Sequence, residues 1–411
     1  MNKKLKLLII ILVISLLFVI IKPFITISTK NTNITSKEWI YDINYLKEKI
    51  PKKHKNPFFN ITQEQFNSSL DKLIEDVPNL NSDEIQVRIN EIISSIGDAH
   101  TRLVNFNDQN TSSYPIQLYW FKDGYYIINT SKEYRELLGK KLISINNKDI
   151  SEIVSKLNAS VSQDNLANIQ SKMPSLITNP IILKAYKIID NDNCVFELAD
   201  KDNGNKTSIT LSPSKLNSIK FEEDSSDRIS LIKPSDSEKL QYINSANAVY
   251  LRFDSCKLFN KIFSDTLDKI NTTNAKSLII DIRNNGGGNS AGVDTLLEVC
   301  KSIESDIKIY VIIGRKTFSS AIIYADNLKT QTNCTFYGEG TSGSPNHYGE
   351  VKKFTLPKSK LIIQYSTKYF NFIDTDEKSF LPDVYVNLSI NDYLNNNDAI
   401  LNKVLDDAKN L

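Results

Sequence analysis

Two adjacent serines, Ser319 and Ser320, lie between a strand-like run and a helix-like run in the stretch G-R-K-T-F-S-S-A-I-I-Y-A, residues 314–325. A serine at the start of a helix is most often an N-cap, whose hydroxyl binds the first free N–H groups. The same position can present a hydroxyl nucleophile beside the helix N–H donors, as a nucleophile elbow does. The turn therefore holds either a capping serine or a catalytic one.

A serine nucleophile needs a base, because its hydroxyl reacts poorly at neutral pH. Of the three histidines, His100 in the polar turn G-D-A-H-T follows a helical pattern and is the best candidate base. His347 in P-N-H-Y-G is the second candidate. His54 lies in the basic run P-K-K-H-K, which predicts a solvated side chain. These residue types and positions are compatible with a serine hydrolase.

A second unusual turn, R-N-N-G-G-G at residues 283–288, directly follows the apolar run Leu278–Ile282. Consecutive glycines let backbone N–H groups approach a ligand without interference from side chains. Such donors can cradle a phosphate, although the G-x-x-x-x-G-K-[ST] spacing is absent here. They can also stabilise the oxyanion of an acyl-transfer intermediate. A plain glycine turn is the third interpretation, and the favoured one for a triple glycine taken alone.

Strand-like and helix-like patterns alternate after Ala246, which indicates an α/β layer with parallel strands. Ligands bind at the carboxyl ends of the strands in such sheets, where both unusual turns fall. The predicted strands are Ala248–Phe253, Ser277–Ile282 and Lys308–Ile313, and the predicted helices are Lys257–Ile270, Ser290–Ile303 and Ser320–Leu328.

The first part of the chain has a different pattern. Three helical stretches with capping signals precede Gly97, and β-like runs begin at Tyr114. The segment L-G-K-K-L-I-S-I-N-N-K at 138–148 resembles the part of a PDZ domain where a strand enters a tight turn. Such domains bind extended peptides by strand addition.

Composition narrows the range of partners. The chain has 411 residues, 40% of them hydrophobic and 24% charged, which is typical of a globular protein. The net charge of +2 gives no electrostatic basis for binding nucleic acid. The four cysteines have no C-x-x-C spacing, so we expect buried free thiols and neither a metal site nor a cofactor.

The N-terminus predicts export. A basic start, M-N-K-K-L-K, precedes the apolar run Leu7–Ile21 and then Lys22-Pro23. This is the pattern of an export signal, and no A-x-A cleavage site follows it. We expect residues 1–30 to form an uncleaved signal-anchor, which gives a single-pass cell-membrane protein with an extracytoplasmic catalytic part. The alternative is a cleaved signal peptide and a secreted protein.

Five motifs occur in order along the chain and together resemble the C-terminal-processing (tail-specific) serine peptidase family. They are G-D-A-H-T (97–101), S-L-I-I-D-I-R-N-N-G-G-G (277–288), T-F-S-S-A (317–321), G-E-G-T-S-G (338–343) and L-P-D-V (381–384). The resemblance implies a crotonase/ClpP-like α/β core behind a helical N-terminal region and a PDZ-like β-rich segment. The expected domains are 1–30, 31–112, 113–240 and 241–411.

The resemblance also implies roles for individual residues. One family branch uses a Ser–Lys dyad, but Ser344 stands where its lysine is expected. The histidine of G-D-A-H-T is similar to the tricorn-like Ser–His branch. That similarity implies Ser319 as nucleophile, His100 as general base, and an oxyanion hole formed by N–H groups of Ser320 and of Gly286 or Gly287.

A third catalytic group is implied as well, since an acidic residue precedes the P-D motif in that branch. Glu377 is the first choice for this acid and Asp376 the second. The glutamate that often follows S-S-A is replaced by Ile322, which marks the chain as a divergent relative.

The predicted activity is therefore hydrolysis of peptide bonds in polypeptide substrates. Two other interpretations remain open on sequence grounds. One is a non-catalytic protein on the same fold that binds peptides or lipids. The other is an exported scaffold that captures peptides through the PDZ-like segment alone.

Overall fold

The computed structural model describes residues 34–104, 106, 111–222, 227–235, 238–257 and 260–410. The chain divides into two units, Met1–Thr35 and Ser36–Leu411, and the described helices and strands belong to the second. The predicted signal-anchor or signal peptide of residues 1–30 lies outside the described residues. Within the described ones, every helix is too short or too polar to span a bilayer.

Three amphipathic helices open the described chain. Capping boxes at Thr62 and Asn81 start the second and third of them, as the sequence predicts. The third helix buries the isoleucines that recur along one face. The helices are α1 (Ser36–Lys53), α2 (Gln63–Asp76) and α3 (Ser82–Ser94).

A six-stranded antiparallel sheet and three helices form the next part of the chain. Strand β3 lies at one edge of this sheet, and helix α5 packs against it. The strands are β1 (Arg102–Leu103), β2 (Ser112–Ser113), β3 (Ile116–Phe121), β4 (Gly124–Thr130), β5 (Lys141–Ile145), β6 (Lys148–Asp149), β7 (Cys194–Ala199), β8 (Lys206–Leu211) and β9 (Ser214–Lys215), of which β3 to β8 make the sheet. The helices are α4 (Ile150–Leu157), α5 (Leu166–Ile177) and α6 (Pro180–Ala185).

The last part of the chain contains a second six-stranded sheet, in the order β10-β11-β12-β13-β14-β17. Its pairs are parallel except for β10 with β11, which confirms the predicted α/β layer. The strands are β10 (Lys239–Ile243), β11 (Ala248–Arg252), β12 (Ser277–Asp281), β13 (Lys308–Ile313), β14 (Thr335–Gly338), β15 (His347–Thr355), β16 (Ile362–Phe370) and β17 (Val384–Tyr385). The helices are α7 (Asn260–Thr273), α8 (Val293–Ile303), α9 (Ser320–Gln331), α10 (Ile390–Leu394) and α11 (Ala399–Lys409).

Both faces of the parallel sheet are covered by helices. Alternate strand residues such as Leu278 and Ile280 pack against α7, α8 and α9. The intervening residues, Ile279 among them, pack against Ile400 and Val404 of α11. Burial on both faces explains the nearly continuous apolar runs of β12 and β13. The four cysteines are free, as predicted, and all but Cys334 are buried; Cys334 is half-buried, against the prediction.

A small third sheet joins the segment that follows the G-D-A-H-T turn to residues 347–370. Strand β1 pairs with β16, with Arg102 opposite Gln364 and Leu103 opposite Ile363. Strand β15 pairs with the other edge of β16. Because β1 directly follows the G-D-A-H-T turn, this pairing fixes His100 against the C-terminal half of the protein. The predicted domain boundaries at 30, 112 and 240 stay predictions.

Candidate active site

Ser319 lies in the tight turn between β13 and α9, with the unusual backbone angles φ 56° and ψ −126°. A positive φ is strained for a residue other than glycine, and such strain concentrates at functional sites. The Ser319 side chain makes no capping hydrogen bond to α9. Its hydroxyl is thus not used as an N-cap, the more common role of a serine at this position.

The neighbouring glycine turn fixes the strained conformation. The Phe318 N–H donates to the Asn285 carbonyl at 3.0 Å, and the Thr317 hydroxyl donates to the Ile282 carbonyl at 2.8 Å. Gly287 has φ +93°, and a Cβ there would lie 2.7 Å from Ser319 Cβ. Only glycine leaves the space that the serine turn occupies.

The three predicted oxyanion donors differ in what they contact. The Gly287 N–H donates to Asn285 Oδ1 at 2.9 Å, so it is already engaged within the turn. Gly286 lines a cavity together with Ser319. Ser320 begins α9, where N–H groups are free of intrahelical partners, and its hydroxyl donates to the Gly288 carbonyl at 2.8 Å. Gly286 and Ser320 are the donors that the geometry leaves available.

His100 lies in a buried turn and keeps only 6% of its surface exposed. Its backbone N–H donates to Asp98 Oδ1 at 2.9 Å, and its backbone carbonyl accepts a bond from Gln364 Nε2 at 2.9 Å. The imidazole stacks on Phe318, the residue before the candidate nucleophile, with 4.3 Å between ring centroids. His100 and Ser319 line the same cavity of about 390 Å³, which also contains Gly286.

Both ring nitrogens of His100 lack a hydrogen-bond partner among the described residues, so the structure does not show a bond to Ser319. The nearest carboxylate oxygen is Asp98 Oδ1, 3.9 Å from His100 Nδ1. Burial lowers the pKa of His100 to about 4, against the opposing attraction of Asp98. The imidazole is therefore neutral at pH 7 and able to accept a proton.

Asp98 is a buried carboxylate at the centre of a hydrogen-bond network. It accepts bonds from His54 Nε2 at 3.0 Å, Ser366 Oγ at 2.7 Å and Thr101 Oγ1 at 2.5 Å. Burial alone would raise the pKa of Asp98, but these bonds and the nearby His100 lower it below its ordinary value. Asp98 therefore stays ionised beside the candidate base.

The structure corrects the prediction for His54. The basic run around it indicates a solvated side chain, whereas His54 is 5% exposed and bonded to Asp98. The flanking lysines point outward from α1, while the histidine follows the helix end and turns inward. His347, the second candidate base, is also buried, and its Nδ1 lies 2.9 Å from the Ser344 carbonyl oxygen.

The two predicted acids lie away from the cavity. Asp376 and Glu377 are both exposed, and Asp376 pairs with Lys378 at 2.7 Å. Neither is among the described residues that line the cavity. Asn346 anchors the backbone of the preceding part of their loop through hydrogen bonds at Ile373 and Thr375. The structure does not bring either carboxylate to His100.

A second acid, the half-buried Asp164, supports the His100 turn from the antiparallel-sheet region. Its Oδ1 accepts a bond from the Ala99 N–H at 2.8 Å. Burial raises the pKa of Asp164 and lowers that of Lys172, a residue of α5 that lines the cavity. Asp98, Asp164 and Lys172 were not predicted from the sequence, although Asp98 stands two positions before the chosen histidine.

Comparisons with known proteins bear on the family and on the fold. The model of peptidase family S41 matches residues 247–301, the segment from β11 through the glycine turn into α8. No curated protein matches the chain. The structure of mature CPAF complexed with lactacystin has a TM-score of 0.63 at 13% identity, and covers 91% of this chain and 98% of its own.

Two further solved structures have similar identity. A CPAF variant has a TM-score of 0.63 at 12% identity, covering 91% of this chain and 97% of its own. The tricorn protease has a TM-score of 0.44 at 13% identity, and the alignment covers 91% of this chain and 37% of its own. This TM-score is too low to support an argument. At these identities the CPAF structures establish a shared fold and no more.

The match to the family model supports the predicted class, a serine-type peptidase. The segment that the family model matches contains the glycine turn and neither His100 nor Ser319. The individual site residues stay predictions, which the arrangement around Ser319 supports to different degrees.

Proposed function

We propose that the chain is a serine endopeptidase of the tricorn-like Ser–His type, which cleaves polypeptides through an acyl-enzyme on Ser319. The observation that carries the proposal is that Ser319 and His100, from distant parts of the chain, line one cavity. A strained turn without a capping role at Ser319 and a neutral, buried imidazole at His100 support the same assignment.

The first step is attack of Ser319 Oγ on a peptide carbonyl carbon, while His100 takes the hydroxyl proton. We assign Nε2 as the acceptor, because Nδ1 is the nitrogen that faces Asp98. The bond to Ser319 forms when substrate enters and the imidazole turns, since free enzymes often hold catalytic groups loosely. The protonated His100 then donates to the leaving amine, and water hydrolyses the acyl-enzyme by the reverse sequence.

The negative oxygen of the tetrahedral intermediate is stabilised by backbone N–H groups of Gly286 and Ser320. Gly287 supports the site by its shape, since its own N–H is bonded to Asn285. Each oxyanion donor contributes on the order of 3 kcal/mol to lowering the barrier. The N-terminal end of α9 adds a positive potential at the same point.

Asp98 is the acid that we propose for orienting His100, in place of Glu377 or Asp376. Its carboxylate is buried, ionised and bonded to the backbone of the His100 turn. Its charge favours the imidazolium that forms during the reaction. The two exposed acids lack any described contact with the cavity.

We further propose that the parallel-sheet region is a crotonase/ClpP-like catalytic core and that residues 113–240 act as a PDZ-like peptide-binding part. Among the described strands β3 is an edge strand of its sheet and lies next to α5, which supports the second assignment, because strand addition needs such an edge.

Residues 1–30 anchor the protein in the cell membrane in this proposal, with the catalytic part outside the cytoplasm. Their basic start and apolar run support it. We expect the full-length chain to stay in the membrane pellet after an alkaline wash and to be digested by protease added to intact cells. Complete release by the wash at full length would contradict the anchor, and a shortened soluble form would indicate cleavage.

Substitution Ser319→Ala is expected to abolish both peptide hydrolysis and labelling by a fluorophosphonate probe, because the probe needs the activated hydroxyl. The matched control is Ser305→Ala, which changes an exposed serine and is expected to label at the normal rate. Normal labelling and hydrolysis in the Ser319→Ala protein, with the fold intact by circular dichroism, would overturn the assignment.

The pH dependence follows from the burial of His100. Because its pKa is lowered to about 4, the base stays neutral as the pH falls through 6.5 and becomes protonated only near pH 4. We expect the acid limb of kcat/KM to have its midpoint near pH 4 to 5 in a protein that is still folded. A midpoint at or above pH 6.5 would show that the titrating base is solvated, against this proposal.

A further inference from the structure

His54 is a buried histidine that takes no part in the reaction steps proposed above. It follows the last residue of α1, and its side chain has none of its surface exposed. Its Nε2 lies 3.0 Å from Oδ2 of Asp98, the acid that we propose for orienting His100. A contact between His54 and that carboxylate therefore reaches the base through one intervening residue.

A backbone contact determines which nitrogen of His54 carries the ring proton. The Asn56 backbone N–H donates to His54 Nδ1 at 3.1 Å, so Nδ1 presents its lone pair. The ring proton then lies on Nε2, and Nε2 donates to Asp98 Oδ2. A proton on Nδ1 would oppose the Asn56 N–H, so donation to Asp98 is the arrangement that satisfies both ring nitrogens.

The two oxygens of Asp98 have different neighbours. Oδ2 accepts hydrogen bonds from the side chains of His54, Thr101 and Ser366. Oδ1 accepts the backbone N–H of His100 and lies 3.9 Å from His100 Nδ1. The three donors on Oδ2 fix the carboxylate in the orientation that turns Oδ1 toward the base.

The His54 ring is fixed on the C-terminal half of the protein as well as on α1. The His54 backbone N–H donates to the Ile50 carbonyl at 3.0 Å, and the Lys55 N–H donates to the Ser366 carbonyl at 2.9 Å. The Tyr348 ring of β15 packs against the imidazole, with 5.4 Å between the ring centroids. These contacts hold the ring with Nε2 directed at the carboxylate.

Donation by His54 also favours the charged form of the acid. A buried carboxylate keeps its charge only if donors replace the water that burial removes. Burial has the largest influence on the pKa of Asp98 and raises it, and the hydrogen bond from His54 is the largest of the contacts that oppose it. An ionised Asp98 in turn stabilises the imidazolium that His100 becomes during the reaction.

We propose that His54 is a positioning residue for His100, which donates its Nε2 proton to the Asp98 carboxylate and so orients that carboxylate toward the base. The inference rests on the proposed function, because it takes His100 as the general base for Ser319. His54 is not among the described residues that line the Ser319 cavity, so it acts through Asp98 and not on the substrate. The segment after α1 is thereby part of the active site.

Two substitutions separate this role from a merely structural one. Counted in bonds from Cβ, the side-chain nitrogen of glutamine lies where histidine has Nε2, and that of asparagine lies where histidine has Nδ1. His54→Gln can therefore still donate to Asp98, whereas His54→Asn cannot reach it. Both variants replace the buried ring by an amide, so each serves as the matched control for the other.

Labelling of Ser319 by a fluorophosphonate is measured on the full-length chain over a range of probe concentrations. In His54→Asn we expect the maximal labelling rate to fall about 10-fold and the half-saturating concentration to stay within about 2-fold of normal, because a hydrogen bond to a charged group is lost away from the probe. In His54→Gln we expect a maximal rate within about 3-fold of that of the unmodified chain.

Equal maximal rates in the unmodified chain and in His54→Asn would overturn the inference, and so would equally slow labelling in both variants. Either result leaves the proposed function intact, since Ser319 of the unmodified chain still reacts. Failure of the unmodified chain to react would instead overturn the proposed function, and the positioning role of His54 with it.

A second measurement does not depend on the folding of a His54 variant. The chain has three histidines, so nitrogen-15 labelling of histidine gives few side-chain signals in a nuclear magnetic resonance spectrum. The His54 signals are assigned by elimination with His100→Gln and His347→Gln. We expect His54 to carry its proton on Nε2 with Nδ1 unprotonated, and a proton on Nδ1 would overturn the inference whatever the labelling rates.

Discussion

The carboxylate of Asp98 is the interaction on which the rest of the site depends. It joins the His100 turn to His54 after α1 and to Ser366 of β16, three segments far apart in sequence. A buried carboxylate with four donors around it is stable only when every donor is in place. The pairing of β1 with β16 places the His100 imidazole beside Phe318, in the turn that contains Ser319.

Burial gives the two sides of the cavity opposite properties. It keeps His100 neutral, which suits a proton acceptor, whereas the Lys316 ammonium stays protonated at neutral pH. The difference follows from ordinary pKa values, since the same desolvation moves an imidazole below neutrality but an ammonium only to about 8.

Local signals in the sequence predicted the parallel sheet and pointed to the serine turn and to His100. Strand alternation, capping residues and the glycine turn are encoded by neighbouring residues, so one sequence is enough to find them. The role of Asp98 and the burial of His54 depend on contacts between distant segments, which spacing does not reveal. Glu377 was favoured by resemblance alone, and the long-range Asn346 contacts that anchor its loop carry no local signature in the sequence.

The central claim is that the Asp98 carboxylate positions His100 to act as the general base for Ser319. The substitution Asp98→Asn tests this claim most directly. An asparagine presents an amide N–H₂ to groups that are all donors, so we expect the free energy of unfolding in urea to fall by about 2–3 kcal/mol. The rate of fluorophosphonate labelling should fall at least 10-fold in the protein that remains folded, while Glu377→Gln leaves both quantities unchanged. Normal stability and labelling in Asp98→Asn, with slow labelling in Glu377→Gln, would contradict the account.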